Sequence, residues 1–147
     1  MDDDRRMLFA RGLALLLGLI YLALGVAGFF FAEGEQVTTN PGDVQHPVRN
    51  PENMLWIFAV SPLLNVVHTA VGVLGLVASL HGSGTRIYGW VLFAGFAGLT
   101  AYGILAAATG TSADPVNLNW ADVWLHGLTA LAGLCMGFAR WRTAVRS

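Results

Sequence analysis

The sequence predicts an all-α integral membrane protein, a four-helix bundle built as two tandem helical hairpins. Three observations carry that prediction. The chain has 147 residues, of which 55% are hydrophobic and 12% charged, about half the charged share of a typical soluble domain. Its mean hydropathy is +0.59. Four apolar stretches, residues 8–31, 53–80, 86–108 and 119–141, each reach the roughly 20 residues that a helix needs to cross the hydrocarbon core of a bilayer. At this length the four stretches form one domain.

The first stretch follows Arg5, Arg6 and Arg11 and is uncharged from Gly12 to Ala32. That run exceeds the roughly 7–15 residues of a signal-peptide core, and no small-residue cleavage pattern follows it. It is expected to be an uncleaved transmembrane helix. The outer loop, residues 32–52, is polar and holds three prolines. It is expected to be irregular, with His46 solvated.

The second stretch is longer than one bilayer thickness and contains Pro62, which removes a backbone donor. Residues 53–61 are therefore expected to form an interfacial turn-and-helix, with the span starting near Pro62 and Trp56 among the lipid headgroups. The third stretch follows the short loop that carries Arg86. The fourth opens on Asn119, an expected N-cap, with Asp122 at the third helical position, where a carboxylate favours a helix N-terminus. Cys135 stands alone in this stretch and is expected to be a small buried hydrophobe.

Orientation follows from arginine, since all eight basic residues are Arg. Arg5, Arg6, Arg11, Arg86, Arg140, Arg142 and Arg146 fall on one side of the four spans, and only Arg49 on the other. The arginine-rich side is cytoplasmic by the positive-inside rule. Both termini are thus expected on the cytoplasmic side of a bacterial cytoplasmic membrane that the chain crosses.

Glycine marks the helix contacts. Gly72 and Gly75 share a face of the second span, and Gly133 and Gly137 form a GxxxG pair in the fourth. Such small residues let helices approach in lipid. Gly25 with Gly28 and Gly95 with Gly98 are expected to do the same. The second and fourth stretches also echo each other. When His68 is aligned with His126, Gly75 meets Gly133 and Leu76 meets Leu134. Tyr21 and Tyr88 open comparable stretches of the first and third. The implied repeat is parallel, about an axis along the membrane normal.

Asn65, His68, Asp122 and His126 are then expected at similar depth, turned inward as a buried polar cluster. A ring N–H of His126 is expected to donate to the Asp122 carboxylate, and Asn65 is expected to pair with His68. The segments SPLLNVVHTAVGVLGL and NWADVWLHGLTALAGL resemble the two best-marked segments of a bacterial family of small four-span proteins, domain of unknown function 4383. The resemblance places its Asn-x-x-His on Asn65 and His68, followed by Gly72. It places its Asn-x-x-Asp-x-x-x-His on Asn119, Asp122 and His126. Val123 stands where the family often has a second Asn. The resemblance implies a fold and a location, and no activity.

No phosphate loop, serine–histidine–aspartate order or CxxC pair appears, so no catalytic residue is assigned. The expectation is a structural, accessory or interaction protein in contact with lipid, as a homo-oligomer or beside a membrane-protein partner. No nucleic-acid partner, metal or cofactor is expected. The alternative is a redox or metal-binding protein in which His68 and His126 hold a ligand such as b-type haem.

Overall fold

The computed structural model describes residues 3–32, 53–109, 116 and 118–139. The protein is all-α, with four helices among the described residues: α1 (Asp3–Gly28), α2 (Pro62–Ala78), α3 (Gly82–Thr109) and α4 (Trp120–Gly137). A short strand pair, β1 (Met54–Leu55) and β2 (Phe58–Ala59), precedes α2. α1 and α3 are long and apolar enough to cross a membrane, with mean hydropathies of 2.1 and 1.6. α2 is a shorter apolar helix.

The second stretch divides at Pro62 as expected, but the residues before it differ from the expectation. Residues 54–59 form an antiparallel hairpin rather than a turn-and-helix. Its turn puts Trp56 at φ 60, a left-handed conformation that a bulky side chain rarely adopts. Trp56 is 84% exposed. Pro62 does not kink a helix but starts one: it takes the first helical turn after the N-cap Ser61, whose Oγ accepts from Leu64 N–H at 3.2 Å. Proline suits that position because its missing N–H would have no helical partner there.

The N-terminus of α4 forms as the sequence indicates. Asn119 Oδ1 accepts from Asp122 N–H at 3.1 Å, and Asp122 Oδ2 accepts from Asn119 N–H at 2.9 Å. This reciprocal capping box satisfies two otherwise orphaned donors. α1 and α3 each begin about a turn earlier than the apolar runs suggest. Arg140, Trp141, Arg142 and Arg146, with most of both outer loops and His46, lie outside the described residues.

α1 packs along α2, and α3 along α4, far more extensively than any other pair. The α2 and α4 backbones stand diagonally opposite, without close approach. Equivalent contacts recur in the two hairpins when α3 is displaced from α1 by 75 residues and α4 from α2 by 58. At one end, Arg11 Nε donates to Ser79 O at 2.7 Å, and Arg86 Nε points at Gly137 O at 3.5 Å. Gly75 lies on Gly18, and Gly133 on Phe93. Further along, Gly25 receives Thr69, and Gly127 faces Thr100. At the far end Gly28 meets Asn65, and Gly103 meets Val123. The N-caps Ser61 and Asn119 obey the same displacement.

Some glycine expectations change. A Cβ at Gly75 would lie 2.8 Å from Gly18 Cα, and one at Gly133 would lie 2.7 Å from Gly89 O. Gly72 is pressed on the Leu22 backbone and Gly137 on the Trp90 ring. Gly95 and Gly98, by contrast, have no such neighbour within 4 Å among the described residues. Cys135 is exposed, not buried.

Candidate functional site

One aromatic ring from each helix meets at the centre. Tyr21 from α1 and His68 from α2 have ring centres 5.0 Å apart. Phe96 from α3 and His126 from α4 repeat that contact at 5.1 Å. Across the two hairpins, Tyr21 and Phe96 are 4.9 Å apart, and His68 and His126 are 5.8 Å apart. The structural counterpart of Tyr21 is thus Phe96. Tyr88, matched to Tyr21 from sequence, lies two helical turns away and donates its hydroxyl to Val71 O at 3.0 Å.

Tyr21 Oη and Thr129 Oγ1 are 2.7 Å apart. Thr129 donates its own proton to Leu125 O at 2.8 Å, so Tyr21 is the donor between them. This bond ties α1 to α4 beside the histidines.

The four polar residues singled out from sequence are all buried: Asn65, His68, Asp122 and His126 are each at most 5% exposed. The structure brings His68 and His126 together but does not form the expected pairs. Neither ring nitrogen of His126 has a hydrogen-bond partner among the described residues, and the same holds for His68 Nε2 and both polar atoms of the Asn65 side chain. Both side chains are engaged elsewhere. Asp122 Oδ2 is held by Asn119 N–H and by the β2 backbone at Ala59 N, at 3.1 Å. Asn65 turns against Gly28 on α1.

The hairpin covers this end of the centre. Besides the Ala59 bond, Asn119 Nδ2 donates to Ile57 O at 2.9 Å, and Ser61 Oγ donates to Val116 O at 3.3 Å. The starts of α2 and α4 are therefore laced together, and the two helices run in the same direction. Beneath the hairpin a void of about 10 Å³, bordered by Phe58, Ala59, His68, Asp122 and Leu125, has room for about one water.

A family model described as domain of unknown function (DUF4383) matches residues 11–139. The chain belongs to the DUF4383 family. No curated protein and no solved structure matches it. The DUF4383 match runs from Arg11, the first of the repeated contacts, to Ala139, just beyond Gly137. Every residue of the ring centre falls inside it.

Tyr21, Phe96 and Thr129 are the members of this centre that sequence reasoning missed. A usable signal was present. Arg11 to Gly28 and Arg86 to Gly103 have equal separations, and aligning those pairs sets Tyr21 opposite Phe96.

Proposed function

We propose that this DUF4383 protein is a single four-span unit of the bacterial cytoplasmic membrane, with both termini inside. It acts as a structural or accessory protein whose partners are lipid and other membrane helices. The observation that carries this reading is the inverted distribution of polarity. Leu16, Leu19, Leu74, Val91, Leu105 and Leu131 are exposed, while Asn65, His68, Thr85, Asp122, His126 and Thr129 are buried. In water, so much exposed apolar surface over all four helices would drive association. In lipid it is the expected exterior. Glycine contacts within each hairpin supply the close packing on which helix association in lipid depends. Carbonate and urea washes of membranes provide the test. The protein should stay in the pellet and be released only by detergent. Release by carbonate would overturn the membrane reading.

The contact between His68 and His126 favours a second reading, a small metal centre. Haem is not favoured, because Tyr21 and Phe96 fill the space that a porphyrin plane needs.

A further inference from the structure

The ring centre contains an unused donor set. His126 is fully buried with both ring nitrogens unpartnered among the described residues, and His68 is 5% exposed with Nε2 likewise unpartnered. Polar groups left that way in an apolar interior are costly and call for an explanation. These imidazoles are related by the repeat, so they face each other across its axis, on helices whose backbones do not touch. Their ring centres are 5.8 Å apart. An ion bonded to one nitrogen of each imidazole at about 2.0–2.1 Å holds the ring centres roughly 5–6.5 Å apart, the longer end of that range for a linear two-coordinate ion.

Charge and donor number select the ion. No group of three or more His, Cys, Asp or Glu residues suited to a metal occurs among the described residues. Zinc, which takes four ligands, is poorly served by two. Asp122 borders the same small void as His68 and brings one negative charge. A monovalent cation leaves the centre neutral, whereas a divalent one leaves a net charge in a medium that penalises it. Imidazole is a suitable ligand for copper.

We propose that His68 and His126 bind one copper(I) ion, which enters from the outer end beneath the hairpin, with Asp122 as its counter-charge. This goes beyond the accessory-protein reading. It is tested on protein in detergent, so its outcome is separate from that of the membrane washes.

The experiment uses the full chain, stripped with chelator and equilibrated with Cu(I) under reductant against a Cu(I)-selective chromophore. Elemental analysis should find one copper per chain. His68→Phe and His126→Phe keep a ring in place and should each weaken binding about a hundredfold. Asp122→Asn, which keeps a capping oxygen, should weaken it about tenfold. X-ray absorption of the wild-type complex needs no variant to fold and should show nitrogen ligands only. Absence of stoichiometric copper, copper retained after both histidines are replaced, or a sulfur ligand from Cys135 would each overturn the proposal.

Discussion

Gly28 of α1 lies directly against the Asn65 side chain of α2. The equivalent contact in the second hairpin sets Gly103 against Val123. The two hairpins thus solve the same packing problem with an amide in one and an isopropyl group in the other. Asn65 is fully buried, and its two polar atoms have no hydrogen-bond partner among the described residues. Asn65→Val should therefore raise stability in detergent by about 1 kcal/mol, because it removes an unsatisfied polar group and keeps a shape already used at Val123. Thermal unfolding measures this. A clear fall in melting temperature would show that the amide is satisfied within the folded protein.

Glycine should matter by position rather than by number. Gly75→Leu and Gly133→Leu push side chains into the facing helix backbone and should each cost about 1–3 kcal/mol. Gly95→Leu and Gly98→Leu enter open space and should leave the melting temperature nearly unchanged. Equal effects at all four positions would contradict the packing described.

Asp122 should act through the hairpin and the helix start. Asp122→Ala removes the acceptor for both Asn119 N–H and Ala59 N–H, and should cost about 2 kcal/mol or more. Hydrogen exchange should then rise at Ala59 and at the start of α4. Exchange unchanged at Ala59 would mean that this carboxylate does not hold the hairpin.

The two arginine contacts should have comparable small effects. Arg11 and Arg86 place positive charge at the ends of α2 and α4, where carbonyls are unpaired and the helix dipole is negative. Arg11→Gln and Arg86→Gln should each cost about 0.3–1 kcal/mol, with Arg11 the larger because its bonds to Ser79 and Leu80 are shorter. A reversed order would contradict the longer 3.5 Å contact of Arg86.

The all-α class, the two helices long and apolar enough to cross a membrane, the capping box at Asn119 and Asp122, and the alignment of His68 with His126 were legible because each rests on local pattern. Apolar run length, cap chemistry and residue spacing act within a few turns of chain. What was not legible depends on which neighbour wins a shared group. Asp122 is within reach of His126 by spacing, but two backbone donors claim Oδ2. Asn65 shares a face with His68, yet turns to α1, where Gly28 leaves room. Pro62 is ambiguous in an apolar run, since the same residue kinks a helix interior and starts a helix after Ser61. Tyr21 was matched to Tyr88 by identity of type, whereas packing pairs it with Phe96.

The account rests above all on four spans with both helix pairs oriented alike, and reporter fusions test this most directly. A reporter at the C-terminus and another after Asn40 should give opposite signals, inside for the former and outside for the latter. The same signal from both would contradict the four-span arrangement with cytoplasmic termini.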